Sequence, residues 1–330
     1  MPEPRTANAG KTNKIWVDRG ERFGLVIAWL IVIVVFSVLE PGVFLTWTNI
    51  STILGSQAVL VVLALGLIVP LAAGDYDLSI AGNLTLSSML IAVLNVYHHV
   101  PIQIACLAAL ATGLVIGAIN AFIVLYFRIN SLIVTLGMGT FIHGVTLWVS
   151  GSNTISGIDF ALPTAVIVTR LFGIPLAFYY ALIIALVIWY VFSLTAAGQR
   201  MLFVGRGREV ARLSGIRVDH VRASVFLASG ALGSVAGILY AGSTGSADPS
   251  SGLSQLLPAF AAAFLGATSI TPGRFNPIGS VIAVYFLVSG ISGLSILGIS
   301  TFVQDLFYGG ALVVAVALSQ VVRGRQERTT

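Results

Sequence analysis

The chain has 330 residues, 57% of them hydrophobic and only 9% charged, against roughly 25% charged in an ordinary soluble domain. Apolar runs of about 18 residues or more recur along it, long enough to span a bilayer as helix, and no polar stretch between them could form a soluble enzymatic domain. The formal net charge of +5 lies in short joins between those runs, which excludes a basic nucleic-acid surface and matches the Lys/Arg bias of cytoplasmic loops.

These features predict an all-α, polytopic membrane protein with about ten transmembrane helices, some short or broken. Residues 1–22 read as a basic cytoplasmic tail, 23–320 as the membrane domain and 321–330 as a second cytoplasmic tail. The first apolar run, 23–39, ends in SVLEPGVF without a small-x-small cleavage site, so it is expected to be retained as a span. Further spans are expected over 56–72, 80–96, 102–127, 131–149, 176–194, 223–241, 256–270, 277–293 and 302–320. With ten spans both termini share one side. Of the 17 basic residues all but Arg170 fall on that side: Arg5, Lys11, Lys14, Arg19, Arg22, Arg128, Arg274, Arg323, Arg325, Arg328 and the arginines of 195–222. That bias orients both termini to the cytoplasm.

The join LAAGDYDLSIAG, 71–82, sets Asp75 and Asp77 among apolar neighbours. A charge at the bilayer centre costs about 2.5–3.5 kcal/mol on insertion scales, so neither is expected to face lipid. Asp77 reads first as a cap for a helix starting near Ser79. Asp75 stays open between a wet position at the membrane edge and a re-entrant break beside a solute route. Asn83, Asn120 and Thr135 complete the candidates for a solute path or gate, although polar side chains in lipid more often bridge helices, for about 0.6–2 kcal/mol each.

Gly113 and Gly117, and later Gly233 and Gly237, stand four apart and would let helix backbones approach closely. The single cysteine, Cys106, reads as a small hydrophobe. Asn130 and Ser131 read as the N-terminal cap of 131–149. His98 and His99 share a short turn without a carboxylate, so no metal site is expected. The stretch 150–174 is polar early and apolar later, as a short surface helix would be. Residues 256–270 cover only about 22 Å of a roughly 30 Å core, and 277–320 is studded with glycine, so broken helices are expected there.

The longest charged join, 195–222, holds the core GREVARLSGI. Between Gly207 and Gly215 about two helical turns are expected, with Val210 and Leu213 on one face and Arg208 and Arg212 on another. Glu209 suits the first turn, and Gly215 can end the helix in a left-handed conformation. So short a helix is marginal alone. Its apolar face needs a partner, the chain's own surface or the lipid interface.

Taken together, GDYDLSIAG, the 113–145 run, GREVARLSGI and AAAFLGATSITPGRFNPIGSVIAV at 261–284 resemble, in order, stretches of one family. It is the membrane-spanning permease subunit of bacterial ATP-binding-cassette sugar importers, in the ribose/xylose/arabinose branch, related more distantly to branched-chain amino-acid permeases. Ala121, Val210, Ala267 and Pro272 depart from the family pattern, which leaves the sugar open. The resemblance implies a multi-pass protein of the bacterial inner membrane. It implies a second copy of the permease, forming a homodimer, and a periplasmic or extracellular solute-binding protein that delivers a small sugar. It also implies a cytoplasmic ATP-binding subunit docking on Arg208, Glu209, Val210, Ala211, Arg212, Leu213 and Gly215. No cofactor is expected on this chain, ATP and Mg belonging to the partner, and no nucleic acid is expected. The G-x-x-x-x-G-K-[ST] phosphate loop is absent from the sequence, so the chain is not the ATPase. The function implied is import by alternating access. The alternative is an ion-coupled secondary carrier or channel, which would need mid-membrane ionisable groups that this chain almost lacks.

Overall fold

A computed structural model describes residues 9–300 and 302–327, with side chains over 22–300 and 302–317. The tail positions Arg5, Lys11, Lys14, Arg19, Arg323, Arg325 and Arg328 lie outside the described side chains. In chain order the helices are α1 (Ala9–Leu39), α2 (Trp47–Ser56), α3 (Ala58–Ala72), α4 (Ser79–Ala92, continued by a wider π-type turn, Val93–Tyr97), α5 (Ile102–Tyr126) and α6 (Ser131–Ser150). There follow α7 (Ala161–Pro163), α8 (Leu176–Leu194), α9 (Ala196–Arg206), α10 (Arg208–Leu213), α11 (Val218–Thr244), α12 (Ser251–Gly266), α13 (Pro277–Ile296) and α14 (Phe302–Glu327). Two short antiparallel ladders pair β1 (Ile155–Ser156) with β4 (Ser246–Ala247), and β2 (Arg170–Leu171) with β3 (Ile174–Pro175).

Among the described residues eight helical stretches are long and apolar enough to cross a membrane, with α2 and α3 together making one of them. Two apolar helices are shorter, Ser251–Gly266 and Phe302–Ala317. Every residue of α3 is buried, as expected of a helix that is apolar all round. It is enclosed by α4, α8, α11, α12 and α13. By contrast, α1, α6 and α8 leave broad apolar faces open, including Ile27, Leu30, Ile31 and Val34 on α1 and Ile183, Leu186 and Val187 on α8. Lipid is the natural solvent for such faces.

The two glycine pairs serve two close contacts of α11, Gly113 and Gly117 on the α5 side and Gly233 and Gly237 on the α4 side. A β-carbon at Gly113 would strike Ser234 and the Gly230 carbonyl, one at Gly117 the Phe226 carbonyl, and one at Gly237 the Leu84 carbonyl. α11 therefore lies backbone to backbone against α5 and α4.

Several boundaries differ from those expected. The run before 56 is already helical as α2, because Thr46 caps it by accepting from the Asn49 N–H. Residues 195–222 are not a loop with one helix. Thr195 caps a separate helix, α9, by accepting from the Gly198 N–H, and α11 starts at Val218. α12 spans 251–266 instead of 256–270. α13 is unbroken despite its glycines, which are explained by packing: a β-carbon at Gly279 would strike the Gly266 carbonyl, and one at Gly293 the Phe36 ring. In 150–174 the expected short helix is a single turn, α7, extended by a π-type turn, Thr164–Val168.

The joins sort to two ends. One gathers the α3–α4 break, the α5–α6 turn, α9, α10 and the start of α11; the α12–α13 turn is tied to α1 by the Ile270 N–H donating to the Arg22 carbonyl at 2.9 Å. The opposite end carries both ladders and Arg170, with the Asp159 N–H donating to Asn95 Oδ1 at 2.7 Å.

Candidate functional site

The α3–α4 break is a built structure. Gly74 turns the chain at φ +76°, and the Asp75 N–H returns to the Pro70 carbonyl at 3.0 Å. The next free N–H groups are taken by α6: Tyr76 N donates to Ser131 Oγ and Leu78 N to Thr135 Oγ1, each at 3.1 Å. The Thr135 hydroxyl itself donates to the Ser131 carbonyl at 2.8 Å. Irregular backbone at membrane depth survives only when satisfied this way by protein. Asn130 caps α6 through the Leu132 N–H at 2.9 Å.

Asp77 is buried, and its Oδ1 accepts from the Ser79 N–H at 3.0 Å and the Ser79 hydroxyl at 2.6 Å. It therefore caps the start of α4. Asn120 on α5 donates to the same Ser79 oxygen at 2.8 Å, and its own Oδ1 has no partner. One turn on, Asn83 donates to the Gly230 carbonyl on α11 at 2.6 Å and accepts from the Ser234 hydroxyl, which in turn accepts from the Ser87 hydroxyl. Asn83 and Asn120 thus bridge helices, and Thr135 ties α6 to the break.

Asp75 differs from the others. Its carboxylate is 1% exposed and receives Arg222 of α11 in a two-nitrogen grip, Nε to Oδ2 and NH2 to Oδ1, both at 2.7 Å. Arg208, the first residue of α10, adds a second cation: its NH2 donates to Asp75 Oδ1 at 3.0 Å and to the Gly74 carbonyl at 2.8 Å. Both charges of the buried pair are thereby satisfied, which such a pair requires. Arg222 was not singled out from the sequence. The signal was there, since a buried carboxylate demands a cation, but the arginine sits beside five others in the same join.

α10 begins after an extended Gly207 and ends at Gly215, whose φ is +80°. Ala211 is buried against Val204 and Val218. Val210 is 59% and Leu213 88% exposed. Glu209 and Arg212 pair at 3.4 Å in solvent, an interaction of little weight. Arg208 is turned inward to the break, away from the outward face of Val210 and Leu213. Between α10, the break, the α5–α6 turn and the start of α11 lies a polar cleft of about 860 Å³, lined by Asp75, Tyr76, Arg128, Arg208, Glu209 and Arg222 among others.

A smaller cavity, about 130 Å³, opens between α4, α6 and α12, where Thr85, Thr140 and His143 are its polar groups. Asp75 lines the large cleft; Asp77, Asn83, Asn120 and Thr135 line neither. Among the described residues no group of His, Cys, Asp or Glu could hold a metal ion.

A family model described as "Branched-chain amino acid transport system / permease component" matches residues 49–316. The chain is 29% identical over 302 residues to the D-allose transport system permease protein AlsC of Escherichia coli strain K12, covering 92% of each chain. It is 32% identical over 293 residues to the ribose import permease protein RbsC of the same strain, covering 88% of this chain and 91% of that one. To RbsC of Bacillus subtilis strain 168 it is 30% identical over 301 residues, covering 91% and 93%. No solved structure matches. With its eight long apolar helices, the chain is a multi-pass protein of the bacterial inner membrane. It belongs to the permease-component family of ABC-type transporters, as a membrane subunit without ATPase activity of its own.

Proposed function

We propose that the chain is the membrane-spanning subunit of an ATP-driven importer that moves a monosaccharide or related small polar solute into the cell by alternating access. Two copies form the path, an ATP-binding subunit docks from the cytoplasm, and a solute-binding protein delivers from outside. ATP and Mg are held by the docked subunit. Both termini lie in the cytoplasm, with α12 and α14 joining the eight longer helices to make ten crossings. The names of the relatives, D-allose and ribose among them, support the solute class.

The observation that carries the reading is the outward face of α10. A short helix held at Ala211, capped by a left-handed Gly215 and still presenting Val210 and Leu213 to solvent offers a preformed knob to a partner. Its own chain leaves that face uncovered. The solute needs hydrogen-bonding groups along its route, and Thr85, Thr140 and His143 supply them in the cavity between α4, α6 and α12.

Reconstituting the chain in vesicles with its ATPase and receptor tests this. Solute accumulation that requires ATP and all the subunits is expected. Accumulation against a gradient by the chain alone would put an ion-coupled carrier in its place.

A further inference from the structure

Resting on the docking reading, we propose that Asp75 is the positioning residue through which movement of α10 reaches the membrane helices, with Arg222 as its fixed anchor and Arg208 as a releasable latch.

The two cations hold the carboxylate unequally. Arg222 is 7% exposed and uses two nitrogens at 2.7 Å, the parallel geometry that makes arginine–carboxylate pairs strong and directional. Arg208 is 40% exposed and reaches Asp75 with one nitrogen at 3.0 Å. Solvent competes for the second contact far more than for the first. Pulling on α10 therefore breaks at Arg208 and leaves Asp75 with α11.

A pivot lies beside the latch. A β-carbon at Gly205, the penultimate residue of α9, would strike the Ala72 carbonyl, so the α9–α10 elbow rests directly on the backbone that opens the break. The elbow can tilt about that contact while Arg208 engages or leaves Gly74 and Asp75.

The break passes the change onward. Tyr76 and Leu78 hang on Ser131 and Thr135 of α6, and Asp77 caps α4. Release of Arg208 from Gly74 and Asp75 thus loosens the break that carries the first turns of α4 and α6, the two helices that flank the cavity of Thr85, Thr140 and His143. The other charged groups at the cleft do not substitute for the latch: Arg128 grips Asp219 at 3.0 Å, and Arg212 pairs with Glu209.

The test uses the complete transporter in vesicles and measures solute accumulated per ATP hydrolysed, together with thermal unfolding of the purified complex. Arg208→Gln is expected to lower solute moved per ATP about tenfold, within the range of ordinary coupling energies, without moving the unfolding temperature. Arg208→Lys, which keeps the charge, should recover part of the ratio. Arg222→Gln should lower the unfolding temperature instead, as an anchor must. A wild-type ratio in Arg208→Gln would overturn the latch and leave the importer reading standing. So would loss of the ATPase subunit from that variant, because Arg208 would then belong to the docking face. A wild-type transporter that accumulates nothing with ATP would overturn the importer reading itself.

Discussion

Two carboxylates two residues apart do different work, because their partners come from different directions. Asp77 is satisfied locally by Ser79, whereas Asp75 takes its cations from across the fold. Asp77→Ala should therefore cost about 0.5–2 kcal/mol, the loss of a cap, and Asp77→Asn less, since an acceptor oxygen remains; thermal unfolding in detergent measures both. Arg222→Ala should cost up to about 3–5 kcal/mol, because it leaves the buried carboxylate with only the single contact from half-exposed Arg208. If the two alanine variants unfolded alike, the distinction between cap and anchor would fail. Gly117 is a third case. A side chain there must displace the Phe226 carbonyl of α11, and overpacking of this kind costs about 1–3 kcal/mol or more. Gly117→Leu should lower the yield of folded protein, while Gly137→Leu, with open space around it, should not.

At the scale of elements, α10 was legible from the sequence almost residue for residue. Glycines bound it, an acid opens it, and an apolar pair sits at helical spacing, all local signals. Two matters were not legible. α9 carries only one short apolar run, Met201–Val204, set between Arg200 and Arg206 and far too short for a span, and it is held by the Thr195 cap and its seat on the α3–α4 break. The continuity of α13 was hidden because glycine lowers helix propensity in isolation, while here each packed glycine admits a neighbour. On the docking reading, Leu213→Asp should abolish co-purification of the ATPase subunit while the variant still inserts. Retained co-purification would argue that α10 meets lipid instead. Gly215→Val should cost about 1–2 kcal/mol through its positive φ, read as lower stability of the isolated chain.

For the whole molecule, the proposed orientation makes a separate prediction. In a Cys106→Ser background, Thr154→Cys should react with a membrane-impermeant maleimide in intact cells, and Arg200→Cys only after permeabilisation. Both positions are exposed and lie at opposite ends of the fold. The reverse pattern would invert the transporter and move the docking face outside. The path has the same dependence on scale. Asn83, Asn120 and Thr135 were candidates along one chain, and packing sets Asn83 against α11, Asn120 against α4 and Thr135 against the α3–α4 break.

Run lengths and scarce charge determined by themselves that this chain threads a bilayer, because lipid offers backbone groups no partner outside a helix. Local patterning likewise determined α10 and the cap at Asn130, since their partners lie within one turn. Only the tertiary structure decided what Asp75 is for. Its anchor stands 147 positions away, and no period in the sequence records which end of α11 comes to rest against the break.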